Sequence, residues 1–340
     1  MEVVAKKTPN SLSLPWGTRI FLRLLGILTD IVSRKDGTVN RRFMSYFESK
    51  IPPTLKPVDG LKTYDVVLNP TFKTWFRVYL PTEFSVEDLP VLVFYHGGGF
   101  SYMAANSKVY DDLCRNMATK MQVIVISVEY RLAPEFPHPA QYDDGIDALK
   151  YLDVEENRLK CSLQNANFSR CFVAGDSAGG NLVHHVVQRA CVTSFKHLKV
   201  IGLLAIQPFF GGIEQTNSEK ELDEQVPILT VKRTNWFWDV FMPEGKDHDR
   251  DHASINVSGP NAIDITKFVF PTTMVVVSKF DILHDWQKKY YEWLLKSGKE
   301  VELVEYPNMF HDFVCFPELP EADQLIFQMK EFIYKVFNKA

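Results

Sequence analysis

The sequence has 340 residues, 46% of them apolar and 24% charged, which is enough to bury one large core or two smaller ones. A formal net charge of −4 gives no electrostatic basis for binding nucleic acid or an acidic membrane surface. The five cysteines are scattered and lack C-x-x-C spacing, so we expect free thiols in a reducing compartment. We therefore expect the protein in the cytoplasm and also in the nucleus.

The first predicted element is an amphipathic helix near the N-terminus. Apolar side chains recur at helical spacing between Trp16 and Val32. Arg19, Arg23 and Asp30 interrupt the run, so the segment holds neither a signal-peptide core nor a membrane span of sufficient length. By its spacing alone, such a helix packs one face on the body of the protein.

Strand and helix patterns alternate along the rest of the chain. Apolar runs predict about eight strands, at residues 63–69, 75–80, 91–95, 123–129, 171–174, 199–206, 273–277 and 301–306. Helical patterns cover residues 107–120, 140–152, 178–190, 285–296 and 322–337. With the first two strands as an antiparallel pair, this alternation predicts an α/β fold with a mostly parallel central sheet and helices on both faces. Functional sites then lie at the carboxyl ends of strands.

A glycine-rich segment follows the predicted strand at residues 91–95. His96 is followed by Gly97, Gly98 and Gly99, which let backbone N–H groups approach a ligand oxygen without interference from a Cβ atom. Alone, this run is a flexible turn. Together with a serine elbow in the same chain, it is typical of the loop that completes an oxyanion hole.

The serine elbow is at residues 175–179, with the sequence GDSAG and Ser177 at its centre. An apolar strand precedes it and a helical pattern follows, which is the context in which a G-x-S-x-G serine becomes a nucleophile. The short motif also fits a serine that merely caps a helix. The glycine-rich loop upstream and a suitable base downstream favour the nucleophile.

A serine nucleophile needs a base within hydrogen-bond reach and an acid that orients the base. Seven histidines follow Ser177: His184, His185, His197, His248, His252, His284 and His311. Of these, His311 is the best candidate because it follows a predicted strand and a turn at residues 307–308, at the carboxyl edge of the sheet. Asp281 ends the preceding strand and is the predicted acid. Asp285 is its competitor, although it already lies in the next helical pattern.

Three other segments do not fit the alternation. Residues 214–227 are polar and acidic, and we expect a solvated excursion there. Residues 247–252 alternate Asp and His, but they include Arg250 and lack a rigid framework, so we expect a solvated loop rather than a metal site. Between them, the aromatic residues at 236–242 predict a helix that belongs to the core or lines a ligand pocket.

Four motifs carry a resemblance to a known family: HGGG at residues 96–99, YRLAPE at 130–135, GDSAGG at 175–180 and DILHDW at 281–286. With these motifs the chain resembles the plant carboxylesterases of the hormone-sensitive-lipase group, from about residue 14 to the C-terminus. Residues 36–42 and 243–245 are also similar to the gibberellin receptors, which are esterase-derived binding proteins.

The resemblance implies an α/β-hydrolase fold, with an N-terminal lid over residues 1–50 and a catalytic domain over residues 51–340. It implies a catalytic triad of Ser177, Asp281 and His311, an oxyanion hole formed by the backbone N–H groups of Gly98, Gly99 and Ala178, and no metal or other cofactor. Two departures stand out. Ser278 and Lys279 precede Asp281 where the family is glycine-rich, and Asp312 follows His311 where the family has glycine, which could alter the pKa of the imidazole.

Three functions remain compatible with the sequence. The first is an esterase acting through a serine acyl-enzyme on a small or hydrophobic carboxylic ester. The second is a hormone receptor of the gibberellin type, which would add a protein partner. The third is a repurposed hydrolase, such as a dehydratase or cyclase of plant specialised metabolism. The receptors that the chain resembles lack the histidine and have a tyrosine three positions later, whereas this chain has His311 and Val314. We therefore favour the esterase.

Overall fold

A computed structural model describes residues 12, 14–85, 89–243, 245 and 249–339. Its strands form one sheet of eight. They are β1 (Leu61–Asn69), β2 (Thr74–Pro81), β3 (Val91–Tyr95), β4 (Ile124–Glu129), β5 (Cys171–Asp176), β6 (Val200–Ile206), β7 (Thr272–Phe280) and β8 (Val301–Phe310). Their order across the sheet is β1-β2-β4-β3-β5-β6-β7-β8.

The sheet is mostly parallel, as the alternation of patterns predicted. Only the β1–β2 and β2–β4 pairs are antiparallel, and the remaining five pairs are parallel. The carboxyl ends of β3, β5, β7 and β8 therefore face the same edge of the sheet. This edge is where the predicted site residues follow their strands.

Helices cover both faces of this sheet. They are α1 (Trp16–Val32), α2 (Arg41–Met44), α3 (Lys108–Met121), α4 (Ala140–Asp153), α5 (Glu155–Lys160), α6 (Ala178–Cys191), α7 (Asn217–Leu222), α8 (Val231–Phe241), α9 (His284–Lys296) and α10 (Pro320–Lys339). Alternate strand residues enter two cores: Val91 and Val93 of β3 pack towards α4, α6 and α9, whereas Leu92 and Phe94 pack towards α3 and α10. Because successive side chains enter apolar cores on opposite faces of the sheet, most residues of an inner strand are buried, and the strand is a nearly continuous apolar run in the sequence.

The acidic segment at residues 214–227 is a solvated excursion only in part, because residues 216, 218, 219 and 226 are buried. It contains α7, whose first turn is closed by a capping box in which Thr216 and Glu219 satisfy each other's backbone N–H groups. Glu219 is buried, and its carboxylate accepts a hydrogen bond of 2.9 Å from the Trp286 indole N–H. A capping box and a hydrogen bond from the Trp286 indole thus stabilise α7 and hold this polar segment in contact with α9.

The turn expected at residues 307–308 is also absent, because β8 continues to Phe310. Ser278 of β7 pairs with Tyr306, and Phe280 pairs next with Phe310. Between these two pairs, β8 has two more residues than β7, so the ladder is irregular there. The residue that follows Phe310 still lies at the edge of the sheet.

Within the described residues, no helix combines the length and the apolar character needed to cross a bilayer. No group of three or more potential metal ligands is found there either. Residues 247 and 248 of the Asp- and His-rich loop lie outside the described residues. All five cysteines are free thiols, as expected, and three of them are buried.

Candidate active site

The connection from β5 to α6 is a tight turn with Ser177 at its apex. Ser177 has φ 50° and ψ −117°, a conformation that is strained for a residue with a side chain. The neighbouring glycines are required by close packing: a Cβ atom on Gly179 would lie 1.9 Å from the Tyr95 carbonyl oxygen. The sequence around the serine therefore permits the sharp turn that carries its hydroxyl to the edge of the sheet.

The structure brings the three predicted triad residues together. His311 Nε2 lies 2.8 Å from Ser177 Oγ, and His311 Nδ1 lies 2.7 Å from Asp281 Oδ2. Asp281 is fully buried, where it accepts hydrogen bonds from the Leu283 backbone N–H and the Gln287 side-chain amide. The carboxylate is thus fixed, and it faces the ring nitrogen opposite the serine.

The competing residues lie elsewhere. Asp285 is in the first turn of α9 and accepts a 2.9 Å hydrogen bond from the Ser218 backbone N–H, so it holds α7 rather than the histidine. His184 and His185 are buried in α6, where their Nδ1 atoms contact Tyr290 and Gln188. As expected from their place in the helix, neither contacts Ser177.

Two carboxylates control the charge of the His311 imidazole. Burial alone would lower its pKa, but Asp281 and then Asp312 outweigh that effect and raise the pKa to about 9. Asp312 Oδ2 lies 3.5 Å from His311 Nε2, the nitrogen that also faces Ser177. The departure from glycine at this position therefore places a second acid beside the candidate base.

A buried tyrosine links the glycine-rich loop to the serine elbow. The Tyr110 hydroxyl donates to Asp176 Oδ2 at 2.7 Å and accepts a 2.8 Å hydrogen bond from the Gly97 backbone N–H. Burial and the nearby Asp312 raise the pKa of the Asp176 carboxyl well above its ordinary value. The sequence showed Asp176 as part of the elbow motif, but it carried no signal that Tyr110 would complete this link.

Two glycines of the glycine-rich loop, Gly98 and Gly99, have a positive φ. Gly98 has φ +102°, and a Cβ atom there would lie 2.4 Å from the Tyr102 carbonyl oxygen. In the part of the chain that the structure describes, the backbone N–H groups of Gly98, Gly99 and Ala178 have no protein acceptor. His96 is packed in the interior: it stacks on Tyr130 with 4.3 Å between ring centroids, and burial lowers its pKa to about 4.

A cavity of about 580 Å³ opens above these groups. Ser177 and His311 lie in its wall, and most of the remaining lining is apolar. Part of the aromatic helix predicted at residues 236–242 contributes to it through Phe237 of α8, whereas Trp238 and Phe241 belong to the core. The cavity thus offers space for an apolar group beside the serine.

Comparison with known proteins identifies the family. A model of the alpha/beta hydrolase fold matches residues 92–315. The chain belongs to the α/β-hydrolase fold family.

Relatives of this chain include receptors as well as enzymes. It is 38% identical to Gibberellin receptor GID1C of Arabidopsis thaliana, over 89% of each chain. It is 32% identical to Carboxylesterase 20 of the same plant, over 90% of this chain and 95% of that one. Among solved structures, a hyperthermophilic esterase of Pyrobaculum calidifontis matches with a TM-score of 0.73 and 27% identity, over 95% of this chain and 98% of the other. These matches support an esterase-type hydrolase, and the receptors fit the alternative function.

The described N-terminal part of the chain lines one side of the cavity. Its helix α1 lines the cavity with several residues: Phe21, Leu25, Gly26, Leu28, Thr29 and Val32. Two contacts join this part to α8: Asp30 forms a bidentate ion pair with Arg233 at 2.9 Å, and the Trp236 indole donates to the Arg34 carbonyl at 2.9 Å. Arg41 reaches the main body, where it pairs with Glu135 at 2.6 Å. The segment is therefore held at its edges by polar contacts.

Proposed function

We propose that this chain is a serine carboxylesterase that hydrolyses a small or hydrophobic carboxylic ester through an acyl-enzyme intermediate. The observation that supports it most is the chain of hydrogen bonds from Ser177 through His311 to Asp281, in the wall of an apolar cavity. In this proposal the three residues act as nucleophile, general base and orienting acid.

Each step of the reaction has a residue in this arrangement. Ser177 Oγ attacks the ester carbonyl carbon while its proton passes to Nε2 of neutral His311. The negative charge that develops on the carbonyl oxygen is stabilised by the N–H groups of Gly98, Gly99 and Ala178, which have no protein acceptor within the described ranges. His311 then gives the proton to the alcohol oxygen as the ester C–O bond breaks, which leaves the acyl group on Ser177. Water attacks the acyl carbon, its proton passes to His311 and then to Ser177 Oγ, and the bond from Oγ to the acid breaks.

We also propose that residues 1–50 form a lid on this site, with the catalytic domain over residues 51–340. The described part of this segment lines the cavity through α1, forms ion pairs with α8 and with Glu135, and places Leu22 and Val32 in the core. Such a lid would select the acyl or alcohol group of the ester by covering it with apolar side chains.

The esterase proposal is tested by turnover of p-nitrophenyl esters with graded acyl chains, together with mass detection of an adduct on Ser177. Ser177→Ala should abolish both turnover and phosphonate labelling, because the triad acts as a unit, and it should leave the fold intact because only one hydroxyl is lost. Ser85→Ala, which alters an exposed serine, is the control and should behave as the unchanged protein. Full labelling of Ser177→Ala would refute the assignment.

A second candidate function is a receptor that binds a small molecule and then a protein. One observation favours it besides the receptor relatives: the outer face of α1 exposes a stripe of large apolar side chains. They are Trp16, Ile20, Leu24, Ile27 and Ile31, each at least 49% exposed. Ligand-dependent association of a protein at this face, with no turnover of any ester, would support the receptor over the esterase.

A further inference from the structure

Two carboxylates approach opposite nitrogens of the His311 ring. Asp281 lies 2.7 Å from Nδ1, on the side that a triad acid occupies. Asp312 lies 3.5 Å from Nε2, on the side where Ser177 Oγ is 2.8 Å away. Nε2 can accept the serine proton only when it carries a free lone pair, so an acid on this side favours the protonation state that cannot act as a base.

The backbone of Asp312 is fixed beside the ring. The residue has φ 57°, its backbone N–H donates to Gln207 Oε1 at 2.9 Å, and its carbonyl accepts from the Cys315 N–H at 3.0 Å. The side chain is only 18% exposed, and Oδ1 is buried without a hydrogen-bond partner among the described residues. A carboxylate in this setting is stabilised by a nearby cation, and His311 is its ion-pair partner.

The other titratable groups around the ring do not offset this effect. Asp281, directly after β7, favours a protonated His311, as Asp312 does, and Asp176 at the end of β5 acts in the same direction to a smaller extent. Tyr110 of α3 faces Asp176, and the neutral thiol of Cys315 lies in the turn after Asp312. Burial raises the pKa of Asp312, and the His311 imidazolium opposes that rise, so the two groups stabilise each other as an ion pair.

We propose that Asp312 is a positioning residue that holds His311 in its protonated form and so restrains the activation of Ser177 near neutral pH. This inference rests on the proposed esterase function. At neutral pH the proton on Nε2 is directed at Asp312 and Ser177, and the serine keeps its own proton. Hydrolysis starts when the imidazolium loses that proton to solvent, after which Nε2 accepts the Ser177 proton as Oγ attacks the ester.

The test is the pH dependence of kcat/KM for p-nitrophenyl butyrate, which reports the essential base of the free enzyme. Two variants remove the carboxylate and suit the left-handed backbone: Asp312→Asn keeps the shape of the side chain, and Asp312→Gly restores the glycine that this conformation favours. Asp264→Asn makes the same chemical change at an exposed position outside the cavity lining and is the control.

We expect the unchanged protein and Asp264→Asn to share an alkaline inflection, near the His311 pKa of about 9. Both Asp312 variants should move the inflection down by about one unit or more, which raises kcat/KM near neutral pH about tenfold. The plateau at high pH should stay within about twofold, because the neutral base is then the same in every protein. A lower plateau with an unmoved inflection would show a merely structural role and overturn the proposal.

A second measurement is independent of turnover. The His311 imidazole can be titrated by NMR in protein with isotope-labelled histidine, with its signal assigned by its loss in His311→Gln. If no variant hydrolyses any ester, the esterase function fails, and the NMR midpoint still decides the role of Asp312. A midpoint that falls in Asp312→Asn and in Asp312→Gly supports the inference, whereas an unchanged midpoint refutes it.

Discussion

Asp281 and Asp285 lie four residues apart but have different partners. Asp281 is fully buried and contacts His311 Nδ1, whereas Asp285 is half-buried and caps the start of α7 through Ser218. Asp281→Asn keeps the shape of the side chain, but its amide can donate a hydrogen bond to His311 Nδ1. That favours the imidazole tautomer in which Nε2 cannot accept the serine proton. We therefore expect kcat to fall by about 10³–10⁴-fold, as for the corresponding change in other triads.

Asp285→Asn is the matched comparison, because the same change is made one helical turn away. It weakens the hydrogen bond to the Ser218 N–H, and we expect it to reduce kcat by less than about tenfold. Steady-state kinetics with one ester compares the two proteins directly. If Asp285→Asn proved the crippling change and Asp281→Asn the mild one, the acid of the triad would be misassigned.

The sequence could predict the positions of Ser177, Asp281 and His311 because each follows a strand of the same sheet. Chain order and strand ends carry that information without side-chain detail. It could not predict that the Asp312 carboxylate lies 3.5 Å from Nε2, since that depends on the rotamer and on the backbone at one position. The sequence indicated that an acid stands where the family has glycine and that it could alter the pKa of the imidazole, but not where its carboxylate lies.

At the scale of elements, the loop after β3 must keep its backbone N–H groups directed into the cavity. Gly98 has φ +102°, and a side chain there meets the Tyr102 carbonyl. Gly98→Val should therefore displace the loop and its donors, and losing one such donor typically lowers kcat by about 10²–10³-fold. The change in kcat at saturating ester is the measurement.

Gly298→Val is the control for the backbone effect. Gly298 also has a positive φ, +72°, but nothing lies within 4 Å of a Cβ atom there. Both variants lose folding stability because a side chain is placed in a left-handed conformation. Only the change at Gly98 should also lower kcat. A folded Gly98→Val protein with ordinary turnover would show that this loop has another purpose.

The elements that were predicted correctly and those that were missed differ in what stabilises them. The inner strands and α6 follow from apolar periodicity, which is local in sequence. Helix α7 is only six residues long and polar, and it depends on the capping box at Thr216 and on the indole of Trp286, which is far away in sequence. Polarity indicated solvent exposure, whereas long-range hydrogen bonds to Trp286 and Asp285 hold part of the segment in the fold.

At the scale of the whole molecule, α1 contributes side chains to both cores and yet exposes one of its faces to solvent. Leu22 belongs to the core shared with α3 and α10, and Val32 belongs to the core on the other face of the sheet. Only four of its seventeen residues are buried, against seven of the twenty in α10. Elements with few buried contacts open at a lower free energy than the rest of a protein.

We therefore expect amide hydrogen exchange to separate α1 from the body of the fold. Amides of α1 should exchange faster than those of α10, and Asp30→Asn, which removes the charge that pairs with Arg233, should make α1 exchange faster still. A long-chain alkyl phosphonate bound to Ser177 would fill the cavity against α1, so it should slow exchange in α1 and leave α10 unchanged. Mass spectrometry of peptides from both helices measures all three effects. Equal protection of α1 and α10, unaffected by the phosphonate, would make the segment an integral part of the core, and the proposed lid would fail.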